Sequence, residues 1–314
     1  VLILSPGSVG CGRYAMSPNS DVLAAYPKAI AAGPWEYLPE SGGFSGARLW
    51  RSPAGWRLKA TPSAAIGHPL PEIHAWMRHA STLDFVPRVA TTSSGSTIID
   101  TGAWRWDIVS WLPGEPLLRD PTPLRLAAAG RALALIHLAW QSSQPRTGTC
   151  PAIERRILAL ERFVPGTSRR DLLVRRLSVQ SLAQLAVWKN RTFRLQPCLC
   201  DIWTDHVLLE GDRVTGLIDF GSAKIDHPAV DLARLLGDCL GGEPLRWQPL
   251  LDAYHTIRPL NPTDHALIAT LEATGAVVAL LTWIERERGR PLTPAEAARS
   301  AKVLARCERL ETAL

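Results

Sequence analysis

Lysine is scarce in this chain, at five residues against thirty arginines. That imbalance suggests a GC-biased genome as much as a surface for polyanions. The net charge of +6 is a mild excess, and short basic clusters occur only at Arg155-Arg156, Arg169-Arg170 and Arg175-Arg176. Nucleic-acid binders concentrate such residues in a stripe, so no nucleic-acid partner is expected; a basic mouth that attracts phosphates fits the same charge. No apolar run reaches the ~20 residues that a membrane span requires. The longest candidate, Ala273 to Ile284, runs into Glu285-Arg286-Glu287-Arg288 and reads as a buried helix, so no membrane partner is expected either. Cys11, Cys150, Cys198, Cys200, Cys239 and Cys307 are spread too thinly over 314 residues for a disulfide framework. Reduced thiols in a cytoplasmic protein are the simpler expectation. No internal repeat is visible, and 46% hydrophobic with 20% charged residues excludes a disordered chain.

What the chain does have is a change of pattern along its length. Residues from about 35 to 112 mix glycine turns with short strand-like runs. From about 122 to 190, Leu124, Leu126, Ala127, Ala129, Leu133, Leu135 and Ile136 recur at helical spacing. Residues 198 to 221 return to strand and loop. Helical patterning resumes at Ala229, with breaks at Gly241-Gly242, Pro259 to Pro262 and Pro291. Strands first, then helices with a short strand insertion, is an α+β order. It predicts a smaller strand-rich lobe over 21–112 and a larger helical lobe over 113–314, with a hinge at Val109-Ser110-Trp111-Leu112-Pro113-Gly114.

The chemistry concentrates between Cys198 and Leu236. Val214 to Ile218 is an apolar strand that delivers Asp219 into the turn Phe220-Gly221. A carboxylate held at a strand end suits Mg²⁺, a hard ion that takes few carboxylates plus phosphate oxygens. Eighteen residues earlier stands Asp201, followed by Ile202-Trp203-Thr204-Asp205-His206, the strand Val207 to Leu209 and a turn at Glu210-Gly211-Asp212-Arg213. A hairpin of this kind brings Asp201, His206 and Asp219 towards one end. One carboxylate can take the proton of an acceptor hydroxyl while a second holds metal against phosphates. A zinc site of Cys198, Cys200, Asp205 and His206 is the rival reading of these residues. Cys-x-Cys is tighter than usual finger spacing and no second pair lies nearby, so packing thiols are favoured.

This stretch resembles the catalytic core of the aminoglycoside phosphotransferase and choline kinase-like superfamily. The family pattern is His-Gly-Asp, four residues, Asn, then Ile-Asp-Phe-Gly or Ile-Asp-Trp-Gly, then Asp-Leu-Ala. Here it reads Leu199-Cys200-Asp201, four residues, His206, then Ile218-Asp219-Phe220-Gly221, then Asp231-Leu232-Ala233. The resemblance implies a protein kinase-like two-lobed fold, Asp201 as catalytic base, Asp219 as Mg²⁺ ligand and Asp231 as a buried support. Two departures stand out. Leu199 replaces a histidine that serves mainly in packing. His206 replaces the metal-binding asparagine, and imidazole prefers softer metals than Mg²⁺. His206 therefore ligates metal in an altered site, contacts phosphate, or weakens the second metal position, and Mn²⁺ becomes an alternative to Mg²⁺.

The resemblance extends upstream, over roughly residues 21 to 285. Ser41-Gly42-Gly43-Phe44-Ser45-Gly46 is a glycine-rich loop, and glycines let backbone N–H groups approach phosphate closely. Gly43, Ser45 and Gly46 are its candidate ATP contacts. The next strand, Gly55 to Ala60, carries Lys59, which in kinase-like folds meets the α- and β-phosphates and pairs with a helix glutamate. Glu72, opening the helix to His79, fits that part. Phe85 to Val89 resembles the strand after that helix. Ser110 and Leu112 fall in the hinge whose backbone would bind adenine. The implied cofactors are ATP and Mg²⁺ or Mn²⁺.

The superfamily acts on aminoglycosides, choline, homoserine, methylthioribose and fructosamines. Trp188, Trp203, Trp247, Tyr254 and Trp283 are candidate walls of an acceptor site. The acidic residues Asp238, Glu243 and Asp252 are loosely spread, so a small hydroxylated metabolite is favoured over an aminoglycoside. The expected activity is transfer of the γ-phosphoryl group of ATP to that hydroxyl. A catalytically degenerate, nucleotide-binding regulatory protein is the alternative that Leu199 and His206 motivate. Met16-Ser17-Pro18 looks like a translation start, so residues 1–20 are expected to be a disordered extension, of which 1–15 precede the native start. Mass spectrometry of the native protein should return a chain beginning at or just after residue 16; recovery of residue 1 would count against this.

Overall fold

The computed structural model describes residues 17–39, 46–64, 69–118, 120–142 and 146–312. In chain order its elements are α1 (Ser20–Ala24), α2 (Lys28–Ala31), β1 (Glu36–Tyr37), β2 (Arg48–Ser52), β3 (Trp56–Pro62), α3 (Leu70–His79), β4 (Ile99–Asp100), β5 (Trp104–Ser110) and β6 (Glu115–Pro116). There follow α4 (Pro123–Trp140), β7 (Arg146–Gly148), α5 (Pro151–Arg162), α6 (Arg169–Ala186), β8 (Phe193–Cys198), β9 (Val207–Glu210), β10 (Arg213–Leu217) and β11 (Lys224–Asp226). The chain ends in α7 (Ala229–Leu240), α8 (Gln248–Ile257), α9 (Pro262–Gly289) and α10 (Pro294–Thr312). Helices α7, α8 and α9 end or begin at the glycine and proline breaks read from the sequence.

By their own contacts these elements form two compact units. The first takes the described residues up to 64 together with Val89–Trp111. It is an antiparallel sheet in the order β1-β2-β3-β5-β4. Side chains alternate across a strand, so Leu58 and Ala60 of β3 and Trp106 and Ile108 of β5 enter one core with Val22, Tyr26 and Trp50. Trp50 and Trp106 stack with ring centroids 5.6 Å apart. Each such ring withdraws of order 200 Å² from water, a gross gain of about 5 kcal/mol before entropy. The same alternation turns Lys59 to the opposite face of β3, where its register partner on β5 is Asp107. Phe85 to Val89 does not form the expected strand. Only Val89 bridges to Val109, and Ala90 donates to the Ile108 carbonyl at 2.9 Å. Pro87 has no N–H to give a ladder, which confines the pairing to that short contact.

The second unit comprises residues 69–88 and everything described from Leu112 onward. Two small antiparallel sheets, β10-β9-β6 and β11-β8-β7, lie among its helices. Thr122 caps α4 by accepting from the Arg125 N–H at 3.3 Å, and Pro123 opens the first turn, where a missing N–H costs nothing. Asn261 and Asp264 cap α9 reciprocally. α9 is long and apolar enough to cross a membrane by composition alone, yet it packs against α5, α6, α7 and α10. Arginines that cluster in the sequence clamp α10 along its length: Arg169 reaches Glu308 at 3.2 Å, Arg170 reaches Ser300 at 2.6 Å, and Arg176 pairs with Glu311. At the start of α10, Glu296 is buried between Arg290 at 2.6 Å and Arg286 at 3.2 Å, and its carboxyl is held down at about 2, chiefly by Arg290.

His137 is fully buried and His227 half-buried, and both are held as neutral rings. His137 on α4 donates from Nε2 to Asp231 Oδ2 at 2.9 Å and accepts at Nδ1 from the Tyr254 hydroxyl at 2.9 Å, so it joins α4, α7 and α8. His227 accepts at Nδ1 from the Ala229 N–H at 3.2 Å. Burial pushes His137 below its usual value and His227 down to about 4. Protons therefore bind the unfolded chain more readily than the native one below pH 6.5, and stability falls as pH drops from there towards 4. Each ring contributes a slope of up to ~1.4 kcal/mol per pH unit. Urea unfolding at pH 7.5 and pH 5 should show the loss, and His227→Gln should flatten it; identical slopes would contradict the assignment. A second prediction concerns Gly130, where α4 meets α8 so closely that a Cβ would run into the Leu250 carbonyl oxygen. Gly130→Ala should cost about 1–3 kcal/mol in the same assay; a neutral substitution would mean the helices separate freely.

Candidate active site

β9 and β10 form a hairpin closed by Gly211, whose φ of 61° is a left-handed conformation that glycine adopts without a Cβ clash. Leu217 pairs with Val207, and the Ile218 N–H donates to the His206 carbonyl at 2.9 Å. That pairing sets His206, one residue before β9, beside Asp219, two residues after β10. His206 Nε2 lies 3.8 Å from Asp219 Oδ2. Its Nδ1 lies 2.9 Å from the Asp201 carbonyl oxygen, which can only accept, so Nδ1 carries a proton and Nε2 is the nitrogen that faces the Asp219 carboxylate. The structure thus gathers Asp201, His206 and Asp219. Asp219 itself has φ 59° and ψ 61°, a conformation that carboxamide and carboxylate residues tolerate better than most.

The loop from Leu199 to Thr204 is strapped to one stripe of α7. Asp231, fully buried, accepts from the Leu199 N–H at 2.8 Å and the Cys200 N–H at 2.6 Å. One turn on, Arg234 donates to Asp201 Oδ1 at 2.9 Å, and the Trp203 indole donates to the same oxygen at 2.8 Å. The Arg234 guanidinium also lies 3.5 Å above the Trp203 ring. Another turn on, Asp238 accepts from the Thr204 N–H at 2.9 Å and its hydroxyl at 2.7 Å. Positions 231, 234 and 238 share a helix face, which is why one helix can hold three successive points of a loop. Arg234 and the anchoring role of Asp238 escaped the sequence reading, although their spacing from Asp231 was the available signal. Asp107, opposite Lys59, was also passed over.

The other candidate residues fall on other elements. Lys59 is half-buried in the middle of β3 and Ser110 is buried at the end of β5, both in the sheet unit. Glu72 is half-buried in the first turn of α3, and Leu112 begins the run into β6, both in the helical unit. Gly46 precedes β2 with φ 68°. Gly43 and Ser45 lie outside the described residues.

The ligand chemistry of the site separates three sets of atoms. His206 donates its Nδ1–H to a backbone carbonyl and turns Nε2 towards a carboxylate, the arrangement in which metal-ligating histidines are held, so His206 and Asp219 fit a divalent cation that tolerates nitrogen. Cys198 and Cys200 do not suit zinc. Burial, then the Asp231 charge, pushes both thiols well above their usual value, and Asp205 pairs with Arg299 at 2.8 Å instead. His137, Cys198 and Asp231 bring potential ligand atoms within 4.8 Å of one another. Their hydrogen bonds already engage both imidazole nitrogens and both Asp231 oxygens, so this cluster is a brace.

Beside the strapped loop the helical unit encloses a cavity of about 290 Å³. Trp203 and Arg234, the two side chains on Asp201 Oδ1, line it, and Trp283 forms part of its wall. The other proposed walls are spent in packing: Tyr254 is buried against His137, Trp247 is buried at the start of α8, and Trp188 donates to Thr270 Oγ1 at 3.2 Å.

Comparison with known proteins agrees with this geometry. The model of the phosphotransferase enzyme family matches residues 39–259. A homoserine kinase of Methylobacillus flagellatus is 30% identical over 184 residues, 57% of this chain and 56% of the relative. The chain thus spans little more than half the length of that curated relative. Among solved structures, a microcompartment-associated aminopropanol kinase superposes with a TM-score of 0.67 at 16% identity, covering 93% of this chain and 96% of that one. An amicoumacin kinase in complex with AMP-PNP and Ca²⁺ gives 0.66 at 15% identity, covering 88% of each chain. These likenesses establish the two-lobed, kinase-like α+β fold. The chain belongs to the phosphotransferase enzyme family.

Proposed function

We propose that the protein is an ATP-dependent small-molecule kinase that transfers the γ-phosphoryl group to a hydroxyl. The observation that carries this reading is the convergence of Asp201, His206 and Asp219 at one end of the β9–β10 hairpin. Asp201 Oδ1 is taken by Arg234 and Trp203, and among the described residues no hydrogen bond engages Oδ2. Oδ2 is therefore the atom that accepts the alcohol proton. As that proton leaves, the alcohol oxygen bonds to the γ-phosphorus, the bond to the bridging oxygen breaks, and ADP departs. Arg234 and Trp203 fix the plane of Asp201 through Oδ1, so the carboxylate is oriented rather than blocked. Asp219 and His206 hold the divalent cation, Mg²⁺ or Mn²⁺, which supplies charge neutralisation at the phosphates when bound. Lys59, Glu72, Gly43, Ser45, Gly46, Ser110 and Leu112 are assigned to the nucleotide on the strength of the family motif. The homoserine kinase relatives favour a small hydroxylated metabolite as acceptor, and a cytoplasmic location follows from the reduced thiols and the family.

A degenerate, nucleotide-binding reading draws on Leu199 and on the imidazole at position 206. The two readings differ in the response to substitution. Asp201→Asn should cut kcat by about 10²–10⁴-fold while calorimetry shows nucleotide affinity unchanged. Activity that survives this substitution would remove Asp201 as the base. His206→Asn should raise Mg²⁺ affinity and shrink the preference for Mn²⁺; an unchanged metal profile would remove His206 from the metal site.

A further inference from the structure

The cavity lined by Trp203 and Arg234, the two side chains that hold Asp201, is strongly basic. Arg156, Arg234, Arg299, Lys302, Arg306 and Arg309 line it, against only Asp238 and Glu272. Three of these cations are matched by carboxylates: Arg234 by Asp201 at 2.9 Å, Arg299 by Asp205 at 2.8 Å, and Arg306 by Glu272 at 2.7 Å. Asp238 is engaged with Thr204. Among the described residues, Arg156, Lys302 and Arg309 form no ion pair. Arg156 is half-buried and donates only to neutral acceptors, the Leu271 carbonyl and Thr274 Oγ1. Arg309 reaches the Gly241 carbonyl at 3.0 Å. Lys302, one of only five lysines in the chain, is exposed on α10 and has no partner among the described residues.

Such a cluster is unfavourable without a counter-charge. Burial, and next the neighbouring Arg234, draws the Arg156 guanidinium down to about 10, still protonated at neutral pH. The wall that carries Lys302, Arg306 and Arg309 is not a loose surface, because α10 is clamped to α6 and α9 at both ends. The opposite wall is kept open by small residues, Gly237, Gly241, Gly275 and Ala276. A Cβ at Gly275 would come within 3.1 Å of Arg156 Nη2, so glycine there gives the guanidinium its room. A polycationic acceptor would have to bring ammonium groups against three unmatched cations, which the charge balance opposes.

We propose that this cavity is the acceptor pocket and that it binds an anionic alcohol, with Arg156, Lys302 and Arg309 holding a carboxylate or phosphate at one end and the hydroxyl directed to Asp201. Arginine forks suit both kinds of oxyanion, and about 290 Å³ suits a molecule of a few carbons. The hydroxyl end of this proposal rests on the phosphotransfer reading; the anion end does not. The test uses the full chain and matched probes: 4-hydroxybutyrate against 4-hydroxybutyramide, glycerol 3-phosphate against glycerol, and aminopropanol as the cationic control. Calorimetry without nucleotide should show at least one anionic member binding about tenfold or more tightly than its neutral partner, with affinity that weakens as salt rises. The pair that responds identifies carboxylate or phosphate as the favoured anion. Lys302→Gln should remove several-fold of the anion's affinity and leave the neutral partner unaffected, and its exposed position keeps the fold intact. Equal binding within every pair, no binding by any anion, or tighter binding of aminopropanol overturns the proposal. Anion binding without ATP turnover would leave the anion site standing and refute the kinase reading instead. Turnover confined to neutral or cationic alcohols would do the reverse.

Discussion

The carboxylate of Asp231 is entirely withdrawn from water and accepts from the Leu199 and Cys200 N–H groups and from His137 Nε2. A buried carboxylate costs several kcal/mol unless its lone pairs are met, so all three donors are held in place together. The consequence is local and geometric. Cys200 is fixed with φ 62°, a left-handed turn rarely taken by a side-chain-bearing residue. That turn aims the next residue, Asp201, away from the strand and towards Arg234. The imidazole is in turn held by Tyr254 and, through it, by Arg258 at 3.1 Å. Helices α4, α7 and α8 therefore all bear on the direction of one carboxylate.

From that point the charges alternate. Arg234 neutralises Asp201 and lies over Trp203, and the same guanidinium contributes to the basic cavity that the proposed acceptor enters. On the other side of Asp201, its own carbonyl holds Nδ1 of His206, whose Nε2 faces Asp219. In the proposed reaction a single residue thus couples the acceptor side through its side chain and the metal side through its backbone. In the proposed site, the histidine that stands where the family pattern has asparagine favours a softer cation.

The hairpin was legible because its information is local. The strand patterns, the glycine turn and the spacing from Asp201 to Asp219 all lie within some twenty residues. The cavity was not legible for the opposite reason. Its cations come from α5, α7 and α10, and sequence neighbours part company: Arg155 pairs with buried Asp226 at 2.5 Å while Arg156 faces the cavity. Arginines that looked scattered divide into clamps, such as Arg170 and Arg176, and pocket walls, such as Arg306 and Arg309. Only the packing of helices far apart in the chain makes that distinction. Phe85 to Val89 failed as a strand because residue type pointed one way and the missing N–H of Pro87 the other.

Phosphorus NMR of the protein with ATP, Mg²⁺ and the anionic alcohol that binds most tightly reports directly on the chemistry assigned to Asp201. A phosphomonoester resonance should grow in step with ADP as the γ-phosphate signal of ATP disappears, and should be absent with Asp201→Asn. Release of inorganic phosphate alone, or ATP that persists unchanged beside a bound alcohol, would contradict it.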